Sequence, residues 1–199
     1  MHALSATPVA SLMDNVNGLP THALLVHFTV VVSTTAALAG LAYALVPRFR
    51  RWLSVPLVFV GLASIVLGVI TPSSGERLEA RVGHDPLLEK HTELGDQMGL
   101  IMIAFGVLLI ATMFVARYRA ETVVGGMPIG AVDRLGAFPR QRLRGFGGQA
   151  PLAAALTVLV LAGSVISGIW IFRTGEAGAR SVWHDTPTAP VAGAADDED

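Results

Sequence analysis

The sequence contains no cysteine among its 199 residues, and this absence excludes several kinds of chemistry. Without thiols the chain cannot form a disulfide, supply a thiolate ligand or hold an iron–sulfur cluster by itself. Only 15% of the residues are charged, and the net charge of -1 leaves no excess of basic residues for a nucleic-acid partner. A phosphate-binding glycine loop, an HExxH zinc motif and a recognisable serine-nucleophile motif are missing as well. Nothing in the sequence therefore indicates an enzyme active site.

Four long apolar runs are the most prominent feature that the sequence does contain. A helix needs about 20 apolar residues to cross the roughly 30 Å of hydrocarbon in a bilayer, and each run supplies about that length. The runs lie at about residues 23–46, 53–71, 98–116 and 151–172. The sequence therefore predicts an all-α membrane protein, in which four transmembrane helices form a bundle in the lipid bilayer.

Arginines between the runs indicate how the bundle is oriented. The first connection contains Arg48, Arg50 and Arg51 and no acid, and the third connection contains six arginines against two acids. The second connection, over residues 72–97, is acidic on balance, and the N-terminal tail has no Lys or Arg. Because basic connections stay in the cytoplasm, we expect both termini and the 72–97 connection to be extracytoplasmic.

Composition divides the chain into three parts. We expect an extracytoplasmic tail over residues 1–19 and a four-helix transmembrane domain over residues 20–175, in which an outer-face loop or helix joins the second and third spans. Residues 176–199 are rich in Ala, Pro, Thr and Asp and offer little apolar surface to pack. Segments of this kind stay disordered, so the third part is predicted to be a disordered acidic tail.

Small residues along each run predict close helix packing. Helices in lipid associate through close van der Waals contact, which small side chains permit. The positions concerned are Thr29, Ser33, Ala36 and Gly40 in the first run, Gly61 and Gly68 in the second, Gly95, Gly99 and Gly106 around the third, and Gly163, Ser164, Ser167 and Gly168 in the fourth. They predict a compact bundle, and one of these groups could instead form a dimer interface.

The six histidines all fall on the outer side in this orientation. His27 lies at the predicted outer border of the hydrocarbon, where an ionisable residue is a candidate for function; the alternative is a neutral imidazole that donates to a backbone carbonyl. His22 and His27 point about 140° apart on a helix, so they would not chelate one metal as an i, i+4 pair. His91 follows a helix start near Pro86 and is predicted to be level with His22 rather than with His27.

These histidines, with Glu79 of the same outer layer, form the candidate site. Imidazole and carboxylate together suit zinc, iron or copper, for which His22, His27, His91 and Glu79 are the candidate ligands, and they also suit a proton relay. Histidines on two helices could hold a haem b from either side. His27 and His91 are the candidate pair, although their heights differ by about 10 Å. Met98 and Met102 share the His91 stripe, either as soft ligands or as core residues.

Two motifs resemble a known family. The stretch LPTHALLVHF at residues 19–28, with SGERLEARV and EKHTELGD further on, resembles a bacterial membrane family catalogued as domain of unknown function 2231. The resemblance covers about residues 18–116 well and the fourth span loosely. It implies a bacterial inner-membrane location and no established activity. The matching residues are His22, Leu25, Val26, His27, Phe28 and His91, with Gly75, Glu76 and Glu79 in the 72–97 connection.

The resemblance to this family also suggests a role in electron transfer. Some relatives resemble membrane anchors joined to a Rieske-type domain, which this cysteine-free chain lacks, and the placement of the histidines is similar to that in the two-haem cytochrome b superfamily. The leading hypothesis is a metal- or haem-binding module at the extracytoplasmic face that serves redox or metal handling, with an electron-transfer partner or as a homodimer. The alternative is a structural or partner-binding subunit whose histidines tether the bundle. A solute or proton pathway is disfavoured because the midplane lacks ionisable residues.

Overall fold

Four long helices make up most of the structure, a computed structural model that describes residues 14–82, 85–123 and 150–186. A short 3-10 helix at Pro47–Phe49 joins the first helix to the second. Each of the four is long and apolar enough to cross a membrane, which confirms the predicted all-α four-helix membrane bundle. The helices are α1 (Thr21–Leu45), α2 (Arg50–Val82), α3 (Pro86–Val123) and α4 (Ala150–Trp183).

The helices follow one another around a ring. α2 packs against α1 and α3, α4 packs against α3 and α1, and contacts across the ring are few. We call the end where α1 and α3 begin and α2 and α4 end the histidine end, and the end around Arg48, Arg50 and Arg51 the arginine end. α1 and α3 therefore run in one direction and α2 and α4 in the other.

Glycines bring α2 and α3 into backbone contact, as the small residues of these runs predict. A Cβ on Gly99 would lie 2.7 Å from the carbonyl oxygen of Gly68, and a Cβ on Gly61 would lie 2.9 Å from that of Gly106. Gly40 of α1 approaches the side chain of Ser164 on α4 in the same way. The core between the four helices is formed by Ala36, Tyr43, Leu57, Phe105, Leu109, Met113 and Val160.

A β-hairpin precedes α1, in a segment for which the sequence predicts only a tail. Strands β1 (Asn15–Val16) and β2 (Leu19–Pro20) pair antiparallel through a two-residue turn. Asn17 and Gly18 have φ values of 51° and 82°, and Asn-Gly is the pair that favours this left-handed turn conformation. Before the hairpin, Asp14 accepts from Arg81 at 3.0 Å, which fixes this segment on α2 at the histidine end.

Three helices extend past the apolar runs at the histidine end. α2 continues to Val82 and α3 begins at Pro86, so the 72–97 connection is largely helical rather than a loop. α4 continues to Trp183, beyond the domain boundary expected at residue 175. An i, i+4 ion pair between Glu176 and Arg180, 2.7 Å apart, supports these last turns of α4 without apolar burial. Residues 187–199, the rest of the expected acidic tail, lie outside the described residues, as do residues 1–13 and 124–149.

Candidate functional site

A cavity of about 500 Å³ lies between the helices at the histidine end. Residues of all four helices line it, and its size falls in the range of ligand pockets, which is about 300–1,000 Å³. Its apolar wall consists of Pro72, Leu78, Val82, Leu88 and Val182. Two imidazoles, those of His22 and His91, reach the same cavity, although they lie 69 positions apart in the sequence.

His22 lies in the first turn of α1 and is half-buried against α2. Its Nδ1 donates to the main-chain carbonyl of Thr71 at 3.2 Å and to Ser74 Oγ at 3.1 Å. Ser74 Oγ in turn donates to the same carbonyl at 2.7 Å, so it accepts from the imidazole. In the neutral ring a protonated Nδ1 leaves the lone pair on Nε2, which is the atom that a metal would bind.

His91 occupies the matching position on α3 and is half-buried against α4. Its Nδ1 donates to the main-chain carbonyl of Thr174 at 3.1 Å. The hydroxyl of Thr174 donates to the carbonyl of Leu94 at 3.3 Å, and Trp170 Nε1 donates to Gln97 Oε1 at 3.1 Å. The imidazole and these two bonds, which lie further along α3 from its N-terminus, therefore join α3 to α4.

Each imidazole packs against a glycine. A Cβ on Gly75 would lie 3.1 Å from Cε1 of His22, and a Cβ on Gly178 would lie 2.9 Å from Cε1 of His91. Both distances are tight for carbon contacts, which are optimal at about 3.5–4.0 Å. The absence of a side chain at these two positions lets each ring lie directly on the backbone of the neighbouring helix.

Carboxylates give the cavity a negative lining. Glu79 and Asp85 are half-buried there, while Glu76 and Asp96 line it from exposed positions. Among the described residues, the lining of this cavity contains no Lys or Arg. The electrostatic field inside the cavity therefore favours a positively charged centre.

His27 does not join this group. Its side chain is exposed, outside the cavity lining, and its Nδ1 donates to the carbonyl of Ala23 in its own helix at 2.6 Å. The angular separation from His22 on α1 explains this, because His22 faces the cavity and His27 does not. The candidate haem pair His27 and His91 is therefore not assembled.

No group of three His, Asp or Glu side chains in the described part of the chain could hold a metal ion. The candidate set of His22, His27, His91 and Glu79 is thus not gathered into one chelating cluster. The two methionines of the His91 stripe are core residues: Met98 is buried, and Met102 Sδ accepts from Ser33 Oγ at 3.2 Å. What the structure does assemble is a pair of imidazoles.

Sequence reasoning did not identify the partners of these imidazoles. Thr71, Ser74 and Thr174 contribute through their position on a facing helix, which no local pattern reveals. One signal was present, since the segments TPSSGER at residues 71–77 and TGEAGAR at residues 174–180 share the pattern Thr-x3-Gly-x-Arg. Each segment follows a transmembrane run and ends near the histidine end.

Four apolar helices with a cavity between them at one end define a multi-pass helical membrane protein. Within that class the chain belongs to the family described as predicted membrane protein (DUF2231), whose model matches residues 18–188. The match includes all four helices and both cavity histidines, and it confirms the family that the sequence motifs resemble. No curated protein and no solved structure matches the chain.

Proposed function

We propose that the protein is a cofactor-binding module of the bacterial inner membrane that holds a haem or a transition-metal centre and serves redox or metal handling. The observation that carries the proposal is the paired orientation of His22 and His91, which both donate from Nδ1 to a main-chain carbonyl and both line one cavity. Histidines that ligate metals through Nε2 commonly donate their other ring N–H in this way, which fixes the tautomer and the ring plane. Glu79 acts beside the centre through its charge.

The histidine end is proposed to face away from the cytoplasm, with both termini on that side. Support comes from the arginine end, where Arg48, Arg50 and Arg51 cluster, because arginines concentrate on the cytoplasmic side of membrane proteins. The chain has no cysteine, so single cysteines can report the orientation. We expect a membrane-impermeant thiol reagent to label Glu76→Cys in intact cells and to label Arg48→Cys only after the cells are lysed; the reverse pattern would contradict the orientation.

A redox role also requires a partner that exchanges electrons at the histidine end, or a second copy of the chain. The direct test of the proposed function precedes any search for that partner. The full chain, purified in detergent, is expected to contain about one haem or one transition-metal ion per chain, measured by visible absorption and by elemental analysis. His22→Ala and His91→Ala are expected to lose it, and His27→Ala, whose ring lies outside the cavity, is the matched control that keeps it. A wild-type chain with neither haem nor stoichiometric metal would refute the proposal.

A structural or partner-binding subunit is the second candidate. The same hydrogen bonds favour it, because His22 joins α1 to α2 and His91 joins α3 to α4 without any cofactor. Under this alternative, His22→Ala and His91→Ala lower the temperature of unfolding, and neither the variants nor the wild type contain a metal. The elemental analysis therefore separates the two candidates.

A further inference from the structure

The surroundings of His22 and His91 repeat from one helical hairpin to the other. In the α1–α2 hairpin, the imidazole of the first helix donates to the carbonyl of Thr71 on the second helix and packs against Gly75, four residues later. The hydroxyl of Thr71 also lies 2.8 Å from that of Thr29, which joins it back to α1. The first hairpin thus holds its histidine by a threonine carbonyl and a glycine one turn beyond it.

The α3–α4 hairpin has the same three features. His91 donates to the carbonyl of Thr174 and packs against Gly178, again four residues later. The hydroxyl of Thr174 donates back to α3, at the carbonyl of Leu94. The two hairpins therefore place their histidines by the same local geometry.

The equivalence extends along the helices into the core. When α1 is aligned with α3 so that His22 matches His91, buried residues of α1 match buried residues of α3. When α2 is aligned with α4 so that Thr71 matches Thr174, buried residues of these two helices match as well. The corresponding buried pairs are Ser33 and Met102, Ala36 and Phe105, Ala37 and Gly106, Gly40 and Leu109, Tyr43 and Thr112, Leu57 and Val160, Gly61 and Ser164, and Ser64 and Ser167. In a ring of four helices, exchanging the hairpins corresponds to an approximate two-fold rotation about the bundle axis.

We infer that His22 and His91 are equivalent axial ligands of one haem, which they approach from opposite sides of this approximate two-fold axis. The inference rests on the proposed function and specifies its cofactor. Each hairpin supplies one ligand, with Gly75 and Gly178 as positioning residues that admit the two rings.

The number of protein ligands available at the cavity favours a haem over a metal ion that is bound by side chains alone. A protein-bound zinc ion takes three or four protein ligands, and no three suitable side chains are grouped in the part of the chain that the structure describes. Haem iron receives four ligands from the porphyrin, so protein side chains supply only the axial positions. Two imidazoles are the complete requirement for a six-coordinate haem.

The cavity wall also suits a macrocycle. A haem needs apolar surface against its ring, and residues of three helix ends provide it: Pro72, Leu78 and Val82 from α2, Leu88 from α3 and Val182 from α4. The negative charge of Glu79 beside this wall would stabilise the positive charge that the ferric iron–porphyrin core carries with two neutral imidazoles.

The test uses the full chain in detergent and haemin as the probe. We expect haemin titration to saturate at one haem per chain and to give a low-spin spectrum, with near-infrared magnetic circular dichroism typical of two imidazole ligands. Because the ligands are equivalent, His22→Ala and His91→Ala should each convert the spectrum to high spin or lower haemin affinity by at least tenfold. His27→Ala should bind haemin as the wild type does.

The positioning role has a control within the same helix. Gly178→Ala would push a methyl group into the His91 ring, so we expect a weakened low-spin signal. Gly175→Ala, one turn away, has nothing within 4 Å of its added Cβ and should leave the spectrum unchanged. Both variants keep all ionisable residues. If the two variants unfold at the same temperature, a weaker low-spin signal in Gly178→Ala comes from a local effect on the His91 ring and not from loss of the fold.

The outcomes distinguish this inference from the proposed function. Stoichiometric zinc, copper or non-haem iron in the purified chain, with no saturable haemin binding, would overturn the haem and leave the proposed function standing. A high-spin wild-type spectrum, or one that changes in only one of the two histidine variants, would overturn the equivalence of the ligands. Absence of both haem and metal would overturn both proposals, and it can be read from the wild type even if the variants do not fold.

Discussion

Single side chains at both ends of the bundle have roles that their sequence neighbours do not reveal. The residue spacing predicts that His22 and His91 share a height and that His27 points elsewhere, because a helix turns and rises by a fixed amount per residue. It does not predict Thr71 or Thr174, whose carbonyls accept from those imidazoles, since such contacts depend on how separate helices pack. Position along a helix was therefore predictable, and the partner across the helix interface was not.

Glu79 gives a prediction at this scale that depends on the haem. Its carboxylate lines the cavity, and a negative charge near the iron stabilises the ferric state over the ferrous state. Glu79→Gln should therefore raise the haem midpoint potential by on the order of tens of millivolts, measured by redox titration of the haem-loaded chain. Asp185→Asn, which lies outside the cavity lining, is the control, and an unchanged or lowered potential in Glu79→Gln would contradict this role.

Arg50 gives a second prediction, which is independent of any cofactor. Its guanidinium donates to the carbonyls of Tyr43 and Ala44 at 3.0 and 3.2 Å and lies 5.4 Å from the centre of the Tyr43 ring. A hydrogen bond to a charged group contributes a net of about 1.5–3 kcal/mol, and Arg50 is only half-buried, so Arg50→Ala should lower the free energy of unfolding by about 1–3 kcal/mol. Arg48→Ala, which contacts only the exposed Phe49 ring in the described structure, should change it less; equal effects would contradict the capping role.

The four helices match the four apolar runs in number and order, but three of the helices are longer than their runs. The runs mark the part of each helix that hydrocarbon surrounds, whereas α2, α3 and α4 continue into polar sequence at the histidine end. Hydropathy cannot detect this extension, because Glu, Arg and Ala favour helix without being apolar. The extension matters for the candidate site, since the cavity is built mainly from these polar turns.

A substitution can test how closely helix α2 packs against helix α3. Gly99→Ala would place a Cβ 2.7 Å from the Gly68 carbonyl oxygen and 2.7 Å from Pro72 Cγ, so the two helices would have to separate. Such overpacking costs about 1–3 kcal/mol. Gly95→Ala, one turn earlier, has open space around its Cβ and should be neutral or stabilising by up to about 1 kcal/mol.

Thermal unfolding of the two variants in the same detergent is the measurement. A lower unfolding temperature for Gly99→Ala alone is the expected result. Equal unfolding temperatures for Gly99→Ala and Gly95→Ala would mean that the helices do not approach closely at Gly68 and Gly99.

At the scale of the whole molecule, two similar hairpins form one bundle with a cavity between their ends. The family match over residues 18–188 and the four apolar helices establish a membrane protein, as the four apolar runs predict. In the sequence the repeat is visible only in the short segments TPSSGER and TGEAGAR, because the core residues that correspond, such as Gly40 and Leu109, differ in size. The shared contacts of the two histidines and the burial at matching positions make the hairpins comparable.

The proposed function and its haem both require that His22 and His91 together hold one cofactor. The most direct measurement compares the haem and metal content per chain of the wild type with that of the double variant His22→Ala/His91→Ala, both purified from membranes in the same detergent. We expect about one centre per chain in the wild type and none in a folded double variant. An empty wild type, or a double variant that retains the full content, would contradict it.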